Sequence, residues 1–196
     1  MSQGLEFFFD YGSPYSYLAD TQLAELQGRV GCEIVYRPML IGAVFKATGN
    51  SSPMFEPVEA KRRYGGIELQ RWVARLEGPF QTSPHFPINT LPIMRAAHAA
   101  QQAGCFEAFH GAVYPAFWAE GKNVGDADVL ASVLSAAGLD AGALQAAAQE
   151  SAAKDALRET TEEAVRRGAF GAPTFFVGDE MFFGNDRLPF VERALG

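Results

Sequence analysis

The sequence predicts an α/β fold whose sheet-forming parts lie at the two ends of the chain, with a helical insertion between them. Three observations favour it: a strand, helix and strand pattern at the start, an Ala-rich middle, and two short β-rich runs near the end. The 196 residues fit one domain with a substantial insertion. A hydrophobic content of 48% with 20% charged residues is typical of a globular chain, not a disordered one.

The opening predicts a parallel βαβ unit. Residues 5–10 form a short apolar run that is long enough for a buried strand and too short for a helix. Ser13 then precedes Pro14 and a helical pattern that closes near Gly28, which is typical of a Ser N-cap followed by Pro at the first helical position. A β-rich run at residues 32–36 completes the unit, and such crossovers are right-handed.

The middle of the chain predicts a group of helices. A helical pattern extends from residue 56 to about residue 76, between stretches that contain Gly, Pro and Asn. In residues 94–168, 22 of 75 residues are Ala, which has the highest intrinsic helix propensity. Glycines near residues 104, 121–125 and 138–142 divide this stretch into several helices.

The end of the chain predicts a β-hairpin and a last helix. Residues 173–177 and 181–183 are β-rich and flank a Gly-Asp-Glu turn, and a helical pattern follows over residues 187–195. The complete order, β-α-β, helices, β-β-α, is that of a thioredoxin-like domain with an inserted all-α helical domain. We place the thioredoxin-like domain at residues 1–45 and 169–196 and the insertion at 46–168.

Charge and segment composition exclude several classes of function. The net charge is -7, from 16 basic and 23 acidic residues, so nucleic acid is not expected as a partner. The N-terminus has no signal-peptide pattern, and no apolar run approaches the roughly 20 residues of a membrane-spanning helix. We therefore expect a cytoplasmic protein without a membrane partner.

Cysteine and histidine spacing favours neither disulfides nor metal binding. Cys32 and Cys105 are far apart and belong to no C-x-x-C pair, which fits a reducing compartment and a packing role. His85, His98 and His110 show no H-x-x-x-H spacing, so no metal is predicted.

The tetrapeptide Ser13-Pro14-Tyr15-Ser16 stands at the corner between the first strand and the first helix. Thioredoxin-like oxidoreductases carry C-x-x-C at that corner, so the S-x-x-S pattern disfavours thiol–disulfide exchange. The N-terminus of a helix still stabilises an anion, and a Ser hydroxyl can donate a hydrogen bond to a thiolate that a ligand brings. The alternative is that Ser13 is only an N-cap.

Two later features complete a candidate binding site. If the bond before Pro173 is cis, the backbone of Ala172 is free to pair with an extended peptide; otherwise Pro173 only begins a strand. Asp186, beside Asn185, is either an N-cap or a carboxylate for a ligand ammonium group. Together with Ser13, these features describe a site for a small zwitterionic peptide with a thiol, such as glutathione.

Several motifs in the same order resemble those of the 2-hydroxychromene-2-carboxylate isomerases and the related kappa-class glutathione transferases. They are FDYGSPYSYL at residues 9–18, RP at 37–38, TGN at 48–50, FGAP at 170–173 and GNDR at 184–187. The resemblance covers essentially the whole chain. It implies a homodimeric thioredoxin-like protein that binds glutathione between its two domains.

The resemblance also implies roles for single residues. Ser13 would be the catalytic residue that meets the glutathione sulfur, and we expect it to stabilise the thiolate, because no obvious base activates the serine. Other glutathione contacts would come from Asn50, Ala172 with Pro173, Asn185 and Asp186. Lys46 and Asn89 would lie near the substrate, although a lone Lys or Asn in a loop is commonly just solvated. Phe55 stands where some isomerases carry a substrate-contacting Asn, so the resemblance does not define the substrate.

The implied function is glutathione-dependent isomerisation of a small aromatic carboxylate in aromatic catabolism. In the family reaction a thiolate adds to the conjugated chromene, the ring opens, a bond rotates and glutathione leaves unchanged. One alternative is a kappa-like glutathione transferase or peroxidase, which consumes glutathione. A non-enzymatic alternative is a thioredoxin-fold binding module that has lost its redox cysteines.

Overall fold

A four-stranded mixed sheet forms the centre of the computed structural model, which describes residues 4–196. The strand order is β2-β1-β3-β4, with β1 at Leu5–Phe9, β2 at Ile34–Pro38, β3 at Thr174–Val177 and β4 at Glu180–Phe183. β1 is parallel to β2 and antiparallel to β3, and β3 and β4 form a hairpin. These pairings confirm the predicted βαβ unit and the predicted hairpin.

Nine α-helices accompany the sheet within residues 4–196, and most of them precede the hairpin. They are α1 (Pro14–Val30), α2 (Ile41–Thr48), α3 (Glu59–Leu76), α4 (Leu91–Gln102), α5 (Phe106–Trp118), α6 (Ala127–Ala136), α7 (Ala141–Ala147), α8 (Ser151–Arg166) and α9 (Leu188–Leu195). Short 3-10 turns lie at Pro53–Phe55 and Asn185–Arg187. In this part of the chain no helix is both long and apolar enough to cross a membrane.

The first helix begins as predicted and ends later. Ser13 caps it, and Pro14 is its first residue. The prediction that the helix closes near Gly28 is wrong, because Gly28 lies inside the helix at a modest cost in backbone entropy. Gly31, with a φ of 66°, takes the left-handed conformation that ends the helix. The second strand is shifted accordingly, to Ile34–Pro38 instead of residues 32–36.

Two other helix starts also differ from the predictions. α3 begins at Glu59, not at residue 56, because Glu56 precedes Pro57 and a residue before proline is disfavoured in the helical conformation. α9 begins at Leu188, since the preceding residues form a 3-10 turn. Asp186 is not its N-cap; its carboxylate pairs with the guanidinium of Arg187.

Phenylalanines from the central strands cover both faces of the sheet. On one face, Phe7 stacks on Phe9 and on Phe175, with ring centroids 5.2 and 5.1 Å apart, in the core shared with α1, α4 and α5. On the other face, Phe8 and Phe176 pack with side chains of α2 and α8. The sheet is therefore buried between two layers of helices.

Ion pairs attach α8 to the sheet. Arg37 on β2 and Arg167 after α8 both pair with Glu6 on β1 and Glu163 on α8. The guanidinium of Arg167 lies 3.8 Å from the ring centroid of Phe176. α8 therefore packs closely on the sheet, although the sequence assigns it to the insertion. The division at residues 45/46 falls inside α2, and it stays a prediction.

We expect Phe7→Ala to lower the free energy of unfolding by about 3–5 kcal/mol, because the fully buried ring would leave a cavity between two stacked neighbours. Phe190→Ala is the control, since that ring is 51% exposed on α9 and its loss should cost less than about 1 kcal/mol. Urea unfolding of both variants measures the difference. Equal losses would contradict the central position of Phe7 in the core.

Candidate active site

Ser13 lies at the corner between β1 and α1 and is 4% exposed. Its Oγ accepts a hydrogen bond from the Ser16 backbone N–H and donates one to the Ala172 carbonyl, both at 3.1 Å. The corner is held further by the Ser13 N–H, which donates to the Asp10 carbonyl at 2.9 Å. Ser13 therefore serves as an N-cap and also contacts the segment that precedes β3.

The start of α1 keeps a free hydrogen-bond donor. Pro14 has no N–H, and the Ser16 and Tyr17 N–H groups bond to the side chain and carbonyl of Ser13. The Tyr15 N–H has no hydrogen-bond partner among residues 4–196. With the positive end of a 17-residue helix dipole, this donor favours a negatively charged group at the corner.

Ser13 has no adjacent base. Within the described chain, the only hydrogen-bond partners of its Oγ are the Ala172 carbonyl and the Ser16 N–H, and neither can take its proton under ordinary conditions. His110 is engaged elsewhere: its Nδ1 lies 2.9 Å from the Tyr11 hydroxyl and its Nε2 lies 2.9 Å from the Asp20 carboxylate. The serine is thus equipped to donate a hydrogen bond to an anion rather than to act as a nucleophile.

The loop at residues 170–173 brings other predicted site residues toward Ser13. The Ala172-Pro173 peptide bond is cis. Asn50 donates from Nδ2 to the Phe170 carbonyl at 2.8 Å, which joins the end of α2 to this loop. The Gly184 N–H donates to the Pro173 carbonyl at 3.0 Å. The loop therefore connects the corner, the end of α2 and the turn after β4.

Asn185 and Asp186 lie in the turn that packs against α1. Asn185 is 3% exposed, and its Nδ2 is buried without a hydrogen-bond partner in the described chain. Such a donor costs free energy unless an acceptor reaches it. Asp186 is more exposed and lies near Tyr15, whose pKa is raised by burial and then by the Glu68 and Asp186 carboxylates.

Lys46 and Asn89 are not joined to Ser13 by any hydrogen bond or ion pair within residues 4–196. Lys46 is exposed near the end of α2. Asn89 is exposed as well, and its Oδ1 accepts from the Leu91 N–H at 3.1 Å in the first turn of α4. Phe55 is 69% exposed at the end of a 3-10 turn. The substrate contacts of Lys46 and Asn89 stay predictions.

Aromatic side chains around Gly171 also belong to the candidate site, and sequence reasoning did not assign them to it. A Cβ added at Gly171 would lie 2.9 Å from the Phe183 ring and 3.8 Å from the Phe45 ring. The rings of Phe170 and Phe183 have centroids 4.4 Å apart, and both are more than one-third exposed. Phe170 begins the FGAP motif and Phe183 directly precedes the GNDR motif, but only the fold brings the two rings together.

Asp10 is a further residue that sequence reasoning left without a role. Its carboxylate is fully buried and accepts from the Gly12 N–H at 2.8 Å, the Ile41 N–H at 2.9 Å and the Thr90 hydroxyl at 3.1 Å. Burial raises the pKa of Asp10 to about 6, although the three hydrogen bonds act in the opposite direction. The position of this carboxylate directly after a predicted buried strand could have indicated that Asp10 has a structural role.

Residues 4–196 match the model of the DSBA-like thioredoxin domain family. A 2-hydroxychromene-2-carboxylate isomerase from Sphingobium xenophagum is 37% identical over 195 residues, which cover 100% of this chain and 99% of that protein. The chain belongs to the DSBA-like thioredoxin family, in the group of the 2-hydroxychromene-2-carboxylate isomerases. Both the predicted fold class and the resemblance are thereby confirmed.

A solved structure and a more distant relative extend the comparison. A solved structure of a 2-hydroxychromene-2-carboxylate isomerase superposes with a TM-score of 0.82 at 32% identity, covering 98% of this chain and 94% of that one. Glutathione S-transferase kappa 1 from Rattus norvegicus is 26% identical over 210 residues, covering 98% of this chain and 90% of the relative. The similarity thus spans both the sheet and the helices inserted into it.

We expect Asp10→Asn to change how stability depends on pH. The pKa of Asp10 rises from an ordinary value of 3.8 to about 6 on folding, so the folded protein holds this proton more tightly than the unfolded chain does. Protonated Asp10 therefore adds to the free energy of unfolding. This addition is fully present below about pH 4 and is lost as the pH rises to about 6. It amounts to about 3 kcal/mol. The difference between wild-type and Asp10→Asn urea unfolding, measured across that range, should show it.

Asp179→Asn is the matched control, because Asp179 lies exposed in the hairpin turn. This variant should keep the wild-type dependence on pH. A wild-type curve that runs parallel to the Asp10→Asn curve from pH 4 to 6 would show that Asp10 does not titrate in this range.

Proposed function

We propose that this protein is a glutathione-dependent isomerase of conjugated aromatic carboxylates of the 2-hydroxychromene-2-carboxylate type. The observation that carries the proposal is the Ser13 corner, where a hydroxyl without a base stands at the positive end of α1. Relatives at 32–37% identity over nearly the full chain are named as isomerases of this substrate. The geometry of the corner and the names of the relatives therefore support the same chemistry.

The residues around Ser13 fit the chemical groups of glutathione. The buried Nδ2 of Asn185 lacks an acceptor, and a carboxylate of the ligand would supply one. The Asp186 carboxylate is complementary to the ligand ammonium, and the backbone of Ala172 can pair with a peptide unit. Asn50 would add an amide contact from the end of α2. Together with Ser13, these residues would hold a small zwitterionic peptide with its sulfur at the start of α1.

Ser13 would act as a switching donor. Its hydroxyl carries one proton, which is directed at the Ala172 carbonyl in the described structure. When a thiolate approaches, the hydroxyl can turn its proton toward the sulfur and release that carbonyl. The released Ala172 carbonyl can then accept from a peptide N–H of the ligand. Binding of the sulfur and binding of the peptide backbone would thus be coupled through one serine.

The remaining groups suit an aromatic acid. Bound glutathione would supply a thiolate that adds reversibly to an electron-poor conjugated double bond and so permits rotation. Ser13 and the Tyr15 N–H would keep the sulfur ionised. The exposed faces of Phe170 and Phe183 offer an apolar surface for an aromatic ring, and Lys46 would balance the substrate carboxylate. A role in aromatic catabolism, a cytoplasmic location and a homodimer stay predictions from the resemblance.

A kappa-like glutathione transferase is the second candidate. The observation that favours it is the 26% identity to kappa-class transferases over 98% of this chain. The two candidates share the thiolate site and differ in the fate of the sulfur, which is released by an isomerase and retained in the product by a transferase.

We expect Ser13→Ala to raise the pKa of the bound glutathione thiol by about 1 to 2, because a hydrogen bond to a charged group contributes about 1.5–3 kcal/mol. Isomerase activity should fall while the fold is kept. The ultraviolet absorbance of the thiolate, followed against pH with glutathione bound, measures the change. Ser132→Ala, at an exposed position on α6, is the control. An unchanged thiol pKa in Ser13→Ala would refute the donor role, and a lack of glutathione binding at millimolar concentration would favour the non-enzymatic binding module.

We expect the total free thiol to stay constant while the protein turns over 2-hydroxychromene-2-carboxylate, because the sulfur leaves at the end of each cycle. Free thiol and the absorbance of the isomerised product should be followed in the same sample. Stoichiometric loss of thiol would contradict the isomerase and support the kappa-like transferase.

A further inference from the structure

A cavity of about 650 Å³ lies between α2, α4 and α8. From α2 it is lined by Ala43 and Ala47, whereas Phe45 lies at the Gly171 loop of the candidate active site. At 100° per residue, Phe45 projects on nearly the opposite side of α2 from both alanines. The cavity is therefore separate from the Ser13 corner.

The lining of this cavity combines apolar groups with four cations and two carboxylates, those of Asp155 and Glu162. Leu40, Leu157 and the alanines of α2 supply apolar surface. Lys154 and Arg166, both on α8, lie about 18 Å apart along the helix, and Arg95 projects from α4. A volume within the range of about 300–1,000 Å³ is typical of small-molecule sites.

Three of the cations at this cavity lack an acidic partner. The fourth, Arg158, pairs with Asp155 at 3.1 Å and with Glu162 at 3.6 Å. Arg95, Lys154 and Arg166 form no ion pair with any described residue. Since the chain as a whole has a net charge of -7, this local excess of positive charge favours an anionic ligand.

Arg95 carries the most direct indication of a ligand. Its Nε is buried without a hydrogen-bond partner among residues 4–196. A guanidinium N–H that has lost water and gained no acceptor is costly. A rotation of the Arg95 side chain toward the cavity would let a carboxylate accept from its guanidinium in a two-pronged arrangement and would relieve that cost. The apolar walls beside it match a hydrocarbon body.

We infer that the groove between α2, α4 and α8 binds a small organic carboxylate with an apolar body, and that Arg95 holds the carboxylate. Leu40, Leu157 and the α2 alanines contact the body of the ligand, while Lys154 and Arg166 add long-range attraction. Because the groove lies on the other side of α2, this binding does not depend on glutathione or on Ser13.

Octanoate is the test ligand, and backbone amide NMR shifts of the full-length protein locate where it binds. In the wild type, the amides of Ala43, Ala47 and Leu157 should shift and saturate together. In Arg95→Met the Kd from these shifts should rise at least about tenfold, because losing even one of the two charge-assisted hydrogen bonds costs that much. Arg193→Met, at an exposed position on α9, is the matched control and should bind as the wild type does.

Further measurements distinguish binding at this groove from binding at the proposed active site. Ser13→Ala should leave the octanoate shifts unchanged, and the uncharged octanamide should bind at least about tenfold more weakly than octanoate. Lys154→Met should weaken binding less than Arg95→Met, which keeps the test informative if one variant folds poorly.

Three outcomes would overturn the inference. The first is equal octanoate affinity in the wild type and Arg95→Met. The second is a set of octanoate-induced shifts confined to Gly171 and the residues next to Ser13. The third is a change of sedimentation coefficient in Arg95→Met without a change in octanoate binding. The last result would instead assign the groove to contact between copies of the chain.

Discussion

The buried carboxylate of Asp10 is the interaction on which the candidate site depends. It is fully buried, and its charge is balanced by donors from three separate segments: Gly12 in the corner, Ile41 at the start of α2 and Thr90 before α4. Satisfying one carboxylate therefore sets the relative positions of the Ser13 corner, the helix that leads to Asn50, and the loop that carries Asn89. The pKa of about 6 shows that the hydrogen bonds offset only part of the desolvation cost.

The corner of this fold has electrostatic properties that do not depend on sulfur. A helix that begins at Pro14 presents its dipole and a free N–H to the corner whichever side chains occupy the first turn. With Ser13 and Ser16 there, the corner cannot transfer electrons but can still stabilise an anion. A scaffold with the sheet and inserted helices of the DSBA-like family is thereby suited to a thiolate that a ligand brings.

Local patterns in the sequence predict the parts of the fold that local interactions determine. Three features follow in this way: the cap at Ser13, the strand of buried phenylalanines and the hairpin turn. Each is determined by residues that lie close together in the sequence. The end of α1 was misplaced because two glycines, Gly28 and Gly31, carry the same local signal, and only backbone conformation separates them. Ser13 and Ala172, which two separate motifs suggested as site residues, contact each other through one hydrogen bond.

Such local patterns could not predict contacts between residues that are far apart in the sequence. The bond from Thr90 to Asp10, the aromatic group of Phe45, Phe170 and Phe183, and the unpartnered Asn185 amide each require segments that the fold brings together. No local signal distinguishes these residues from others of the same type. Lys46 and Asn89 illustrate the converse, since a motif selected them while the described contacts leave their side chains at the surface or in a local turn.

The hydrogen bond between Ser13 and Ala172 spans 159 positions of the chain, and β1 pairs with β3 over a similar interval. During synthesis from the N-terminus, the first strand and the serine leave the ribosome long before their partners exist. The helices between them can form while the last segment is still being made, because the backbone hydrogen bonds of a helix join residues four positions apart. The contact between Ser13 and Ala172 thus forms only when the final few dozen residues have been made, so an incomplete chain would be helical and yet lack the completed corner.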